Sequence, residues 1–122
     1  MTFRLYSTKY VSGDDTHKKI MFDEETGEAT IKGDEGYFDS SIPTKVIVHG
    51  RGGGLLLDNI LWKNYAEVAD EVGKHYNIIG VRWGKGGFGR CAWTGIKTAK
   101  VVKSFVEKYG LKVPDIHGIG FR

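Results

Sequence analysis

A chain of 122 residues, 40% hydrophobic and 27% charged, is enough for one domain and too little for two. Roughly two-thirds of the surface of such a chain is buried on folding, so one core suffices without staples. The two prolines and single cysteine exclude a Pro-rich disordered tail and a disulfide scaffold. No apolar run approaches the ~18 residues of a membrane span, and none heads the chain as a signal peptide would. A net charge of +3 falls short of the basic stripe of a nucleic-acid binder, so no nucleic-acid partner is expected.

The first 42 residues read as β-rich and polar. Phe3-Arg4-Leu5-Tyr6 alternates on to Tyr10 and suits a half-buried strand. Val11 to Asp15 is turn material, and a short apolar run follows at Ile20-Met21-Phe22. Thr26-Gly27 and the stretch from Lys32 to Gly36 punctuate the rest, giving antiparallel hairpin strands at a sheet edge. The acids lie early, among them Asp23, Glu24, Glu25, Glu28 and Asp39.

From Pro43 the character changes. Lys45-Val46-Ile47-Val48-His49 reads as a strand buried on both faces and ends in Gly50-Arg51-Gly52-Gly53-Gly54. Asp58 or Asn59 then caps a helix whose apolar face is Leu61, Tyr65, Val68, Ala69, Val72 and Tyr76, with Gly73 as its weak point or end. A second buried strand, Ile78 to Trp83, leads into a second glycine loop, Gly84 to Gly89. The next helix covers 92–109, with Ala99, Val102, Phe105, Val106 and Tyr109 in one arc. Lys97, Lys100, Lys103 and Lys108 fall outside that arc and read as a solvated face, with contact to anionic lipid headgroups as the functional alternative. Gly110 stops the helix, Pro114 breaks the chain, and Ile116 to Phe121 is a third short apolar strand. The sum is an α/β fold: one domain, 1–122, with edge strands over 1–42 and a parallel βαβαβ unit over 43–122. Such a unit leaves its third parallel strand uncovered by a helix. Marginal stability and self-association through that last strand are therefore expected.

Glycine is the outlying residue: 18 copies, about 15% against a usual ~7%. The glycines cluster at 50–54, 84–89 and 118–120, at or near strand carboxyl ends, where open α/β sheets keep their ligands. Two chemistries fit such turns. Gly84-Lys85-Gly86-Gly87-Phe88-Gly89 matches GxGxxG between a strand and a helix, the form of a pyrophosphate-binding turn. It lies in the second βα unit, however, and the acid about 20 positions on is the mid-helix Glu107, so a plain connecting loop fits as well. The second chemistry is acyl transfer. A strand ending in His49-Gly50-Arg51 turns a backbone N–H, that of Arg51, toward a developing oxyanion. The nucleophile of such a fold sits in G-x-S-x-G after a later strand, and Ile119-Gly120-Phe121 has the form of its start.

These segments carry a resemblance. Phe3-Arg4-Leu5-Tyr6, Pro43-Thr44-Lys45-Val46-Ile47-Val48-His49-Gly50, Asn77-Ile78-Ile79-Gly80-Val81-Arg82-Trp83 and Pro114-Asp115-Ile116-His117-Gly118-Ile119-Gly120-Phe121 occur in the order and near the spacing of the pancreatic-lipase family. That family holds secreted triacylglycerol lipases, arthropod phospholipases A1 and catalytically dead yolk proteins. The resemblance covers essentially the whole chain and only the N-terminal portion of a family catalytic domain. It implies an incomplete α/β-hydrolase fold, a lipid or ester substrate, an extracellular location and neither cofactor nor metal. It also implies an oxyanion donor on the Arg51 backbone, with His49 and Gly50 shaping the turn.

Three residues depart from the family pattern. Arg51 replaces the usual aromatic residue, Arg82 stands where Asp usually precedes Trp83, and Arg122 occupies the nucleophile position. The acid and histidine of the family triad have no counterparts, and His17, His75 and His117 read as structural. Cys91 reads as a packed or partly exposed free thiol. Three functional readings follow: a segment of a lipase or phospholipase A1-like ester hydrolase that is inactive alone, a non-catalytic lipid- or protein-binding relative, and a nucleotide-binding module built on Gly84–Gly89.

Overall fold

The computed structural model describes residues 2–10, 17–48, 67–69, 71–82 and 89–120, with side chains in the last stretch from residue 93 onward. The N-terminal part forms β1 (Thr2–Ser7), β2 (His17–Phe22) and β3 (Ala29–Ile31). The remainder forms β4 (Thr44–Val48), β5 (Asn77–Arg82), the long helix α1 (Gly89–Tyr109) and β6 (Ile116–Gly120). Residues 67–69 and 71–72 are also helical. The six strands make one mixed sheet in the order β3-β2-β1-β5-β4-β6, so the fold is α/β.

β5 joins the two halves. It runs antiparallel to β1, with Thr2 opposite Arg82 and Ser7 opposite Asn77. It runs parallel to β4, with Thr44 opposite Asn77 and Val48 opposite Val81. β6 pairs with the other side of β4, also parallel, from Thr44 opposite Ile116 to Val48 opposite Gly120. The chain thus steps one way from β4 to β5 and back across β4 to β6. Right-handed crossovers in opposite directions lie on opposite faces of a sheet.

Because strand side chains alternate, each strand feeds two cores. Phe3, Leu5, Val46, Ile79 and Val81 pack with Val101 and Phe105 of α1 and with Ile20, Ala29 and Ile31. Tyr6, Ile47 and Ile78 form the smaller cluster of the other face, with Ile119 against it. β5 is buried along both faces, as its continuous apolar run requires.

The buried stripe of α1 is rotated from the arc that apolar periodicity predicts. Thr94, Lys97, Val101, Ser104 and Phe105 are buried, Val102, Val106 and Tyr109 lie at the margin, and Ala99 is exposed. Polar partners on the β2–β3 hairpin explain the rotation. Ser104 Oγ accepts from the Ala29 N–H at 2.9 Å, and Tyr109 Oη accepts from the Ile31 N–H at 2.9 Å. Lys108 Nζ donates to the Ala29 carbonyl at 3.3 Å and lies 3.4 Å from Glu28. Lys97 pairs with Glu24 while its ammonium lies 3.8 Å from the Trp93 ring centroid and 5.5 Å from that of Phe22. The lysine face is therefore not simply solvated: long stems cover apolar surface and their charges meet the early acids. Lys103 keeps the expected role, exposed and 3.9 Å from Glu107.

Both helical stretches stop at a left-handed glycine. Gly110 has φ +75° and the Leu111 N–H returns to the Phe105 carbonyl at 3.1 Å; Gly73 has φ +68° and the Lys74 N–H returns to Ala69 at 3.1 Å. Tyr76 therefore lies beyond the helix on which its spacing placed it. Its N–H donates to Thr8 Oγ1 at 2.9 Å, and its carbonyl accepts the Thr8 N–H at 3.1 Å. Ala69 is fully buried while Val68 and Val72 are exposed, so the inward line runs through Ala69 and leaves those two on its flank. The first strand is also shorter than its pattern: it ends at Ser7, and Tyr10 stacks on Tyr37 with centroids 5.0 Å apart. The antiparallel strands are not all at an edge, since β1 is interior and β3 is the edge. The turn expected at Val11–Asp15 and the helix start at Asp58 or Asn59 lie outside the described residues.

Fully buried Asn77 fixes the start of β5. Its amide donates to the Asp39 carbonyl at 2.7 Å and to Thr44 Oγ1 at 3.3 Å, and its Oδ1 accepts the Asp39 N–H at 3.1 Å. Asn77→Ala should lower the unfolding free energy by about 2–4 kcal/mol, since the buried groups left behind lose their partners. Tyr109→Phe, which orphans only the Ile31 N–H, should cost about 1–2 kcal/mol. Urea denaturation of the two variants beside the wild type measures both.

Candidate functional site

The carboxyl ends of the parallel strands form one edge. Val48 stands opposite Val81 on one side and Gly120 on the other, so β4, β5 and β6 finish side by side. The three glycine clusters follow from that edge or end in it: His49-Gly50-Arg51 continues β4, Gly84–Gly89 follows β5, and Gly118 and Gly120 close β6. Successive connections leave β4 and β5 in opposite directions across the sheet, the arrangement that opens a crevice at strand ends. Arg82, partly buried, is the last residue of β5 and stands opposite Thr2.

His49, Gly50 and Arg51, expected to form an oxyanion turn, lie outside the described residues, as do residues 83–88 and Arg122. The side chain of Cys91 lies outside them too. The structure thus brings together the strand ends that launch these segments. Among the described residues no group of three or more His, Cys, Asp and Glu is placed to hold a metal ion. No described helix is long and apolar enough to cross a membrane.

The other histidines sit away from the carboxyl edge or on the sheet face. Thr8 Oγ1 lies 3.0 Å from His75 Nδ1, beside the first residue of β5. His117 Nδ1 accepts from Lys45 Nζ at 2.8 Å, across the second positions of β6 and β4, and that ammonium also lies 4.9 Å from the Tyr76 ring centroid. His17 packs on Tyr6 at 5.6 Å between ring centroids. A depression of about 230 Å³ opens near Thr2, between Phe3, Ile20 and Phe22 and the Lys97–Glu24 pair. It is below the ~300–1,000 Å³ of ordinary ligand pockets.

Sequence reasoning did not single out the polar cluster at the amino end of the sheet. Lys9 is ion-paired with Asp39, and Asp39 Oδ1 also accepts from the Ser41 hydroxyl at 2.5 Å and the Ser41 N–H at 2.8 Å. A signal was present: an asparagine opening an apolar run and an aspartate two residues before a serine, both habitual backbone-binding arrangements. The cluster fastens the 39–44 connection to β5 at the end opposite the strand carboxyl termini.

No protein-family model and no curated protein sequence matches the chain.

The Lys9 hydrogen bond, followed by those of Ser41, holds the Asp39 carboxyl down to about 2 from its ordinary 3.8. A carboxylate depressed in the folded state adds stability above its unfolded value, and that stability is lost as pH falls through the folded one. The urea midpoint of the wild type should therefore fall between pH 3.8 and about 2 more steeply than that of Asp39→Asn. Parallel slopes for the two proteins across that window would contradict the assignment.

Proposed function

We propose that the chain is a segment of a lipase- or phospholipase A1-like carboxylic ester hydrolase, acting outside the cell, and that it supplies the oxyanion turn. The observation that carries this reading is the pairing of Val48 with Gly120. In an α/β-hydrolase one oxyanion donor comes from the loop after one strand, and the nucleophile turn follows a later strand. Here β4 leads into His49-Gly50-Arg51 and its hydrogen-bonded neighbour β6 leads into Phe121-Arg122. Adjacent strands lie ~4.8 Å apart, so two turns starting there are within reach of one acyl group. The strand order also supports it, with β5 on one side of β4 and β6 on the other.

The chemistry follows from what each residue can donate. The backbone N–H of Arg51 would face the carbonyl oxygen as negative charge develops on it, a role that needs no particular side chain. An arginine in place of an aromatic residue at position 51 would make the wall of an acyl site cationic, which would suit an anionic phospholipid head better than an acyl tail. Arg122 at the nucleophile position offers no hydroxyl. An oxyanion donor by itself gives only a small part of the rate enhancement of a triad enzyme.

The departures at Arg51, Arg82 and Arg122 also favour a second reading, a non-catalytic relative that binds lipid or a protein partner. The two are separated by the coding sequence after Arg122 together with an esterase assay. The hydrolase-segment reading expects a continuation carrying a later Asp and His, p-nitrophenyl ester hydrolysis by that longer product, and background rates for residues 1–122 alone. A stop codon directly after Arg122 would overturn it and leave the binding reading. A rise in melting temperature with millimolar ATP or NAD would overturn both in favour of a nucleotide on the Gly84–Gly89 loop.

A further inference from the structure

The described lysines differ in what they meet. Lys9, Lys97, Lys103 and Lys108 each lie against a carboxylate, that of Asp39, Glu24, Glu107 and Glu28 in turn. A nearby carboxylate favours the charged ammonium, which has no lone pair with which to attack. Lys45 meets an imidazole instead. It stands directly opposite His117 on adjacent parallel strands, so both side chains rise from one face of the sheet. Its Nζ donates to His117 Nδ1 at 2.8 Å, and the Tyr76 ring bounds the ammonium on another side, its centroid 4.9 Å away. An ammonium can only donate, so Nδ1 is the acceptor and the imidazole carries its own proton on Nε2. Lys45 is half-buried and His117 exposed, so the pair is open to small molecules from solvent.

We propose that Lys45 is an acylation site, its amine taking the acyl group of a thioester while His117 serves as the base. A nucleophile and a base ~2.6–3.2 Å apart are the signature of an activated nucleophile. One proton of the ammonium passes to His117 Nδ1, which frees the Nζ lone pair. Nζ then adds to the thioester carbonyl, the N–C bond forms and the C–S bond breaks. The second proton released by the nitrogen leaves with the sulfur as a thiol. The products are a neutral acyl-lysine amide, a thiol and an imidazolium, so atoms and charge balance. The pair occupies the second positions of β4 and β6, toward their amino ends and away from the carboxyl edge. This inference therefore stands apart from the ester-hydrolase reading and holds or fails independently of it.

Competition among the lysines of one sample tests it. The folded chain is exposed for timed intervals to millimolar N,S-diacetylcysteamine, a small acetyl thioester, and peptide mass spectrometry gives the acetylation rate at each lysine. Lys45 should react about 10-fold or more faster than the exposed Lys100 and Lys103, a modest share of what a positioned base contributes. His117→Gln, folded by circular dichroism, should bring Lys45 down to the rate of Lys103 or below and leave Lys103 unchanged. The ratio within one sample cancels differences in reagent and in fraction folded. If His117→Gln does not fold, the wild-type ratio decides alone, since a half-buried lysine without a base reacts more slowly than exposed ones. A Lys45 acetylated no faster than Lys103 in the wild type, or a lead that survives intact in folded His117→Gln, would each overturn the proposal.

Discussion

Strand β5 is buried on both faces and hydrogen-bonded on both edges, and the rest of the molecule is arranged around that constraint. A strand so placed has no access to water for its backbone groups, so every one of them must be paired within the sheet. β1 supplies one ladder, antiparallel over six residues, and β4 the other, parallel over five. Neither half of the sequence can meet this requirement alone. The N-terminal strands are therefore part of the same sheet as the βαβ connections, and β1 is interior. The same insertion sets β4 between β5 and β6, and hence the shared carboxyl edge on which a function is argued.

Charge distribution along the chain has a structural use. The early acids lie on the β2–β3 hairpin and the late lysines on α1, and the fold brings them face to face as the Lys97–Glu24 and Lys108–Glu28 pairs. The acid partners are well exposed, so each pair by itself is worth little in water. Their effect is on geometry: they and the hydroxyls of Ser104 and Tyr109 decide which side of α1 turns inward. Lys97 and Lys108 are thereby committed within the molecule, while Lys100 and Lys103 are exposed on that helix.

What could be read from the sequence divides along a physical line. The strands at Val46–Val48 and Ile78–Val81 were legible because burial on both faces demands an unbroken apolar run, whereas Ile116–Ile119, read as a third short apolar strand, is exposed or half-buried throughout. Gly73 and Gly110 were legible as stops because their left-handed backbone is costly for other residues. The insertion of β5 beside β1 was not legible, since strand order depends on pairings between residues some 75 positions apart that leave no local pattern. Nor was the rotation of α1, because a hydrophobicity count treats Lys97 and Ser104 as outward, whereas a polar group with a partner can be buried. Of the candidate site, the strand ends are on view, since β4 and β6 place their carboxyl ends together, while residues 49–51, expected to form an oxyanion turn, lie outside the described residues.

Native-state hydrogen exchange tests most directly whether one strand holds both halves together. If β5 is the shared element, its amides should be the slowest in the molecule, and those of β1 and β4 should exchange through the same global opening. Amides of β1 to β3 that exchange at one free energy and those of β4 to β6 at another, with β5 following only one of the sets, would contradict it.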